Sequence, residues 1–210
     1  MQPLTRDSLN KAASRLAAAD PALGQWIRLV GPLDFRPRPA RFPSLCHAII
    51  SQQLSAAAAR TIHARFIQLF SPARRPTPRR VLGIHPRRLK SCGLSERKTF
   101  YLCELARAFE NGPLKRRRLS GLGDEEIIAA LIELPGIGRW TAEMFLMFCL
   151  GRPDIFSMGD LALRSGIERV AGKALTDDEV LERTHSWSPW RSVASLYLWK
   201  VSHWDGEPAN

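Results

Sequence analysis

The amino-acid sequence predicts an all-α protein made of two helical lobes. Apolar residues recur at helical spacing along most of the 210 residues, and no convincing alternating strand pattern is present. Prolines, glycines and capping residues separate about ten such segments. A hydrophobic content of 45% is sufficient for a buried core.

The first two helices are predicted from an apolar stripe and a cap. Residues 6–19 place four apolar side chains on one face of a helix. Asp20 and Pro21 are the residue types that begin a helix, as N-cap and first helical residue. This second helix is expected to end near Gly31.

A proline-rich stretch separates these helices from the next group. The sequence LDFRPRPARFP, residues 33–43, is expected to be extended and to act as a linker. A helix is then predicted from Ser44 to Gln53, and Ser55 can cap another that runs to Phe70.

Capping residues also mark the remaining helix starts. Several are followed by proline or by acidic residues, both of which favour the first turn of a helix. The predicted starts are Thr77, His85, Ser95, Asp124, Thr176 and Ser188.

The net charge of +11 predicts a polyanionic partner such as nucleic acid. An arginine-rich genome would give the same composition, so charge alone does not identify the partner. Basic residues cluster at 74–90 and 115–118, but solvated loops look similar. Apolar runs of about 18 residues and secretory signal patterns are absent. We therefore expect a cytoplasmic, nucleoid-associated protein with no membrane partner.

The cysteines do not indicate a metal site. They lack C-x-x-C spacing and paired histidines, which argues against zinc, and they are too dispersed for an iron–sulfur cluster. No cofactor is expected to be required. The four cysteines are Cys46, Cys92, Cys103 and Cys149.

The sequence LPGIG at residues 134–138 predicts a tight turn between two helices. Glycine permits positive φ and close backbone approach, and the helix that begins at Arg139 offers unpaired N–H groups at the positive end of its dipole. A phosphate could bind the amides near Gly136 and Gly138, with the Thr141 hydroxyl as a further donor. An ordinary helix–helix turn remains the alternative.

Four stretches occur in a fixed order within about residues 40–205. They are AIISQQLSAAAARTIHARF, LPGIGRWTA, GRPDIFSMGDLALRSGI and SPWRSVASLYLWK. Together they resemble the helix-hairpin-helix DNA glycosylase superfamily, in particular its 3-methyladenine DNA glycosylase II branch. The resemblance implies a helix-hairpin-helix at about 125–150 and a central lobe of residues 40–155. It also implies a second lobe, formed by 1–39 and 156–210, with the active-site cleft between the lobes.

The resemblance implies roles for several side chains. Asp160 precedes a helix and can cap it, which is worth about 1 kcal/mol. The family pattern makes it the carboxylate that stabilises an oxocarbenium-like sugar. Trp140, Met144 and Trp199 are implied to line the base pocket. By helical spacing alone, Trp140 and Met144 would more often belong to the core.

The resemblance also implies groups that hold DNA. Gln53 is expected to fill the gap that an extruded base leaves in the duplex, and Gln52 is expected to be a structural hydrogen-bonding residue. The backbone carbonyls of Ile132, Leu134 and Ile137 are implied to hold a structural Na⁺ or K⁺ ion that bridges to a DNA phosphate.

Three positions depart from the wider family. Ser157 stands where proline is frequent, and Lys200 stands where a close relative can have an aromatic residue. Trp140 occupies the position of the nucleophilic lysine of bifunctional relatives. Without that amine a Schiff base has no obvious donor, so base removal without strand cleavage is expected.

These expectations combine into one function. A monomer is predicted to hydrolyse the N-glycosidic bond of alkylated purines, such as 3-methyladenine and 7-methylguanine, in damaged duplex DNA. Aromatic pocket walls favour cationic bases by about 1–2 kcal/mol. The alternatives are a glycosylase of the same fold for deaminated or oxidised bases, and a non-catalytic DNA-binding module.

Overall fold

The computed structural model describes most of the chain, namely residues 4–38, 41–112, 114, 119 and 121–205. Within these residues all regular secondary structure is helical and no strand occurs, so the predicted all-α class is confirmed. No helix among them is long and apolar enough to cross a membrane. The basic cluster at 115–118 lies outside the described residues.

Twelve α-helices occur in the described part of the chain, and a π-helical turn, Leu146–Leu150, follows the ninth. In chain order the helices are α1 (Arg6–Ala19), α2 (Pro21–Val30), α3 (Arg41–Ser51), α4 (Ala56–Gln68), α5 (Pro78–Leu82), α6 (Pro86–Lys90), α7 (Glu96–Asn111), α8 (Asp124–Ile132), α9 (Arg139–Phe145), α10 (Leu161–Ala171), α11 (Asp177–His185) and α12 (Arg191–Ser202).

The chain divides into two compact units. The first unit combines Met1–Arg38 with Leu146–Asn210, and the second unit is Pro39–Phe145. The sequence predicts the later boundary at 155/156, whereas the units divide at 145/146. The π-helical turn accounts for part of this difference, because its Phe148 packs against aromatic side chains of the first unit.

Side-chain oxygens start most helices, as predicted. Each accepts a hydrogen bond from a backbone N–H in the first turn and so satisfies one of the amides that a helix start leaves unpaired. The capping residues that do so include Thr5, Asp20, Ser55, Thr77, Ser95, Asp160 and Thr176.

Two predicted helix starts are wrong. Helix α3 begins at Arg41 rather than Ser44, because Pro43 fits in a first turn, where its missing N–H costs nothing. Helix α12 begins at Arg191 rather than at Ser188. Its first amide donates to Oδ1 of Asp154, 3.2 Å away, and a partner so distant in the chain leaves no local signal in the sequence.

Asp20 links α2, α11 and the turn after α11 within the first unit. One carboxylate oxygen accepts the Leu23 amide at 3.0 Å and caps α2. Arg183 of α11 binds both oxygens at 2.8 and 2.9 Å, and the Trp187 indole donates at 3.0 Å. Burial alone would raise the pKa of Asp20, but the hydrogen bonds and the Arg183 charge together hold that pKa below its ordinary value.

Helices α10 and α12 of the first unit pack unusually close together. A β-carbon at Gly166 would lie 2.4 Å from the carbonyl oxygen of Leu198, so this approach is possible only because position 166 is glycine. The next residue of α12 is Trp199. The close packing therefore fixes where the Trp199 side chain lies relative to α10.

Candidate active site

Asp160 is the N-cap of α10 and is largely buried, at 8% exposure. Its Oδ1 accepts the backbone N–H groups of Ala162 and Leu163, each at 2.9 Å. Its own N–H donates to the Ser157 carbonyl at 3.2 Å, which closes a tight turn before the helix. The predicted capping role is confirmed, and the turn and the helix start hold the carboxylate in one orientation.

Trp199 lies against this carboxylate. Its indole Nε1 donates to Oδ1 of Asp160 at 3.3 Å, from a side chain that is neither fully buried nor exposed. The structure thus brings together two residues that the sequence assigns to one site and that are 39 positions apart in the chain. The carboxylate accepts hydrogen bonds from two closely packed helices, α10 and α12.

The sequence analysis missed two aromatic residues of this site. Phe148 stacks on Trp199 with ring centres 5.6 Å apart and an angle of 28° between the planes. Phe35 meets Phe148 edge-on at 5.7 Å. We call Phe35, Phe148 and Trp199 the aromatic layer. Phe148 lies in the π-helical turn, and such turns are frequent at functional sites.

The hairpin of the second unit forms the predicted tight turn. Gly136 has φ of +84°, and a β-carbon there would lie 2.3 Å from the Tyr101 ring. Position 136 therefore requires glycine, both for its positive φ and for the lack of room beside the Tyr101 ring. At Gly138 a β-carbon would meet nothing within 4 Å. Among the described residues, no acceptor pairs with the backbone N–H of Gly136 or Gly138, whereas Thr141 is largely buried.

One hydrogen bond connects this hairpin to the loop after α3, and two more connect that loop and the end of α3 to α7. The Gln52 side-chain amide donates to the Gly136 carbonyl at 2.6 Å, which confirms its predicted structural role. The Lys98 ammonium donates to the Ile50 carbonyl at 2.8 Å and to the Gln52 carbonyl at 2.7 Å. Partial burial lowers the pKa of Lys98. Lys98 thus caps the C-terminal end of α3.

These hydrogen bonds hold the residues that immediately precede Gln53. It is exposed and has φ of +53°, in the left-handed region that non-glycine residues seldom adopt. Neighbouring Leu54 is also exposed. The backbone on the N-terminal side of Gln53 is held by Lys98 and Gln52, so its side chain projects from a fixed base.

Helix α9 is more exposed to solvent, and includes more polar contacts, than its apolar sequence predicts. Trp140 is 51% exposed, Met144 is partly buried, and Glu143 is buried and paired with Arg139 at 2.9 Å. The core position that helical spacing alone favours for Trp140 is wrong, because that residue lies in the first turn of α9, directly after the hairpin.

The carbonyls proposed for a monovalent cation lie at the end of α8 and in the turn. The Leu134 carbonyl accepts the Ile137 N–H at 3.1 Å, and Ile132 is half exposed. Carbonyl oxygens have two lone pairs and suit a hard cation. No group of three histidine, cysteine, aspartate or glutamate residues that could hold a metal is found within the described part of the chain.

Comparison with known proteins places these features in a family. Residues 46–192 match the sequence model of the HhH-GPD superfamily of base excision DNA repair proteins. The chain is 34% identical over 203 residues to DNA-3-methyladenine glycosylase 1 of Schizosaccharomyces pombe, covering 93% of this chain and 88% of that protein.

Two solved structures show the same fold. A DNA-3-methyladenine glycosidase from Bacillus halodurans superposes with a TM-score of 0.86 at 34% identity, covering 97% of this chain and 93% of that one. The 3-methyladenine DNA glycosylase of Schizosaccharomyces pombe, in complex with abasic DNA, gives a TM-score of 0.75 at 33% identity. That match covers 90% of this chain and 95% of the yeast chain.

Proposed function

This chain belongs to the HhH-GPD superfamily of base excision DNA repair proteins, and we propose that it hydrolyses the N-glycosidic bond of alkylated purines in duplex DNA. The products are the free base, such as 3-methyladenine or 7-methylguanine, and an abasic site. The observation that carries this proposal is the Asp160 carboxylate, which is held by two backbone amides and by Trp199, beside the aromatic layer.

Asp160 stabilises the positive charge that develops on the sugar as the bond breaks. An alkylated purine already carries positive charge, so the electron pair of the C1′–N bond leaves with it and the base departs neutral. Water then forms the new bond to C1′ and gives up a proton. A fixed carboxylate favours this transition state because it needs no reorganisation when the charge appears.

The aromatic layer selects the base. The flat faces of Phe148 and Trp199 carry negative potential and attract a cationic purine more than a neutral one, by about 1–2 kcal/mol when water is excluded. Such a difference gives modest selectivity and a broad range of alkylated substrates. Trp140 and Met144 of the second unit remain proposed pocket residues, and the exposure of Trp140 is compatible with that role.

The second unit holds the DNA strand in this proposal. The amides of Gly136 and Gly138 bind a phosphate, and Gln53 enters the gap left by the extruded nucleotide. Thr141 supports the phosphate site, although its burial limits the reach of its hydroxyl.

A monovalent cation, Na⁺ or K⁺, would sit on the carbonyls of Ile132, Leu134 and Ile137. When bound, it supplies positive charge for a DNA phosphate and takes no part in bond cleavage. Backbone oxygens at a helix end fit such an ion. We propose a monomer that acts in the cytoplasm on nucleoid DNA.

Strand cleavage is not part of the proposed reaction. Trp140 stands in the position where bifunctional relatives have a nucleophilic lysine, and it offers no amine for a Schiff base. The products of the enzyme alone therefore contain intact strands with abasic sites, which break only after alkali.

The test is base release from defined duplexes. Duplexes that contain 7-methylguanine, hypoxanthine, uracil or 8-oxoguanine are incubated with the wild type, and free bases and alkali-labile sites are counted. Asp160→Asn keeps a good helix cap but removes the charge, and we expect its rate to fall at least about 100-fold. Asp177→Asn, an exposed aspartate of the same unit, is the matched control.

Three outcomes would change the assignment. Preference for hypoxanthine, uracil or 8-oxoguanine over 7-methylguanine would favour the alternative class of substrate. Tight binding by the wild type without release of any base would identify a DNA-binding module. Undiminished release by Asp160→Asn would remove the carboxylate from the mechanism.

A further inference from the structure

The positive charge of this protein is concentrated in one segment. Residues 35–95 contain 12 of the 31 lysine and arginine residues and none of the 20 acidic residues. The remaining residues therefore carry 19 basic and 20 acidic side chains and are almost neutral. The net charge of +11 thus belongs to the part of the chain that includes α3, α4, α5 and α6.

Most arginines in this segment project into solvent without an ion-pair partner. Arginines elsewhere in the described chain commonly bind a carboxylate, as Arg107, Arg139 and Arg164 do. By contrast, no ion pair in the described residues involves the exposed arginines of α4–α6 and their connecting loop, which are Arg60, Arg65, Arg74, Arg75, Arg79, Arg87 and Arg88.

Helices α4 and α6 bring Arg65 and Arg88 close together, and exposed Arg87 precedes Arg88 in α6. The segment after α6 packs on α4, since a β-carbon at Gly93 would lie 3.1 Å from the Ile62 side chain. Burial raises the pKa of the Cys92 thiol, and the charges of Arg65 and Arg88 oppose that rise, so both guanidinium groups lie near one side chain. Arg87 is the neighbour of Arg88 and is exposed as well.

The same region adjoins the loop that presents Gln53. Helix α6 leads directly into α7, whose Lys98 holds the carbonyls of Ile50 and Gln52. A duplex with its lesion at Gln53 has flanking phosphates on both sides, and arginine binds phosphate through a planar set of donors. An uncompensated arginine surface fits a polyanion better than an acidic peptide or a neutral partner.

We propose that Arg65, Arg87 and Arg88 form a second DNA contact, which binds phosphates of the duplex flank outside the lesion site. This inference rests on the proposed function only in taking duplex DNA as the ligand. The contact reads no bases. It contributes equally to undamaged and damaged DNA, and so it serves the search for lesions and not their recognition.

Salt dependence of binding tests the proposal. Binding of the wild type and of Arg65→Gln/Arg87→Gln/Arg88→Gln is measured by fluorescence anisotropy over a series of salt concentrations. The probes are an undamaged duplex and one with an abasic-site analogue. Each lost phosphate contact lowers the slope of log K against log salt by about 0.9, so the triple variant is expected to lose about 2–3 from the slope on both duplexes.

The control is Arg107→Gln, an exposed arginine of the second unit that pairs with Glu104; it should leave the slope unchanged. Circular dichroism melting verifies that each variant is folded. The maximal rate of base release from 7-methylguanine DNA is expected to stay at the wild-type value, while the half-saturating enzyme concentration rises. A slope equal to that of the wild type overturns the proposal, as does a loss seen only with the abasic duplex.

These results are independent of the test of hydrolysis. If the wild type releases no base but the triple variant loses slope, the proposed reaction fails and the second contact stands. If base release is observed and the slopes coincide, the reaction stands and the second contact fails.

Discussion

The indole N–H of Trp199 donates to the same oxygen of Asp160 that caps α10. This Oδ1 atom accepts Nε1 at 3.3 Å and the amides of Ala162 and Leu163 at 2.9 Å. Three donors on one oxygen fix the orientation of the carboxylate and partly offset its charge. Trp199, which lines the proposed base pocket, therefore also positions Asp160, the proposed catalytic group.

Replacing Trp199 by phenylalanine separates these two roles. Trp199→Phe keeps an aromatic face on Phe148 but removes the hydrogen bond to Asp160. A hydrogen bond to a charged group is worth about 1.5–3 kcal/mol, so we expect kcat for 7-methylguanine release to fall about tenfold or more, with a smaller change in KM. Single-turnover kinetics over a range of enzyme concentrations measure both parameters.

The same chemical change elsewhere in the first unit provides the control. Trp204 meets Trp26 edge-on and follows the end of α12, and Trp204→Phe should leave kcat unchanged. Equal losses in the two variants would mean that α12 is merely destabilised and that the hydrogen bond has no role in the reaction.

Phe148 is expected to determine selectivity for charged bases. Phe148→Leu retains bulk beside Trp199 but removes one aromatic face, and cation–π attraction of about 1–2 kcal/mol is lost for a cationic purine only. The ratio of kcat/KM for 7-methylguanine to that for hypoxanthine should therefore fall about five- to thirtyfold. Competition between the two duplexes in one reaction measures this ratio directly.

Phe156→Leu serves as the control for an aromatic-to-aliphatic change. Phe156 packs edge-on against Trp187 in the same unit and is not part of the aromatic layer. An unchanged ratio in Phe148→Leu, or the same shift in Phe156→Leu, would exclude Phe148 as a source of selectivity.

Lys98 is expected to position the loop that carries Gln53. Lys98→Met keeps the apolar stem but leaves the carbonyls of Ile50 and Gln52 without their donor. The loop then loses its fixed orientation, and we expect the rate at saturating enzyme to fall about tenfold. A 2-aminopurine base next to the lesion reports unstacking by its fluorescence, which should rise less than with the wild type.

A conservative variant distinguishes positioning from general stability. Lys98→Arg retains a cationic donor and should recover part of both the rate and the fluorescence change. If Lys98→Met melts at a lower temperature but gives the full 2-aminopurine signal, Lys98 is structural only.

Local signals predicted much of this fold. Capping residues such as Ser55, Ser95 and Thr176 mark helix starts because the interaction lies within one turn of the chain. Asp160 is recognisable for the same reason, together with its spacing from the hairpin. The start of α12 is not recognisable, because the carboxylate that receives its first amide belongs to Asp154, far away in the sequence.

The rest of the site depends on contacts that sequence spacing does not encode. Phe148 reaches Trp199 through a π-helical turn, which shifts the helical register and has no clear sequence signal. Gly166 of α10 lets α12 approach closely, and this role also becomes visible only in the packed structure. Sequence predicted Trp199 through resemblance, but its bond to Asp160 required the structure.

Asp20 is expected to make the stability of the first unit dependent on pH. Its pKa is held below the ordinary value, so its charged form stabilises the folded state at neutral pH, and that contribution is lost as pH falls through the folded-state pKa. Asp20→Asn can still cap α2 but leaves the Arg183 guanidinium without its carboxylate. We expect a loss of about 2–3 kcal/mol near neutral pH.

Urea unfolding of the wild type and Asp20→Asn, followed by Trp fluorescence, measures this difference. The gap between the two free energies of unfolding should be largest at about pH 7 and should shrink as the pH falls below the ordinary aspartate pKa and through the lowered pKa of folded Asp20. Asp34→Asn, which removes an exposed negative charge from the same unit, controls for the change in net charge. A gap that stays constant over this range would show that the Asp20 charge does not stabilise the fold.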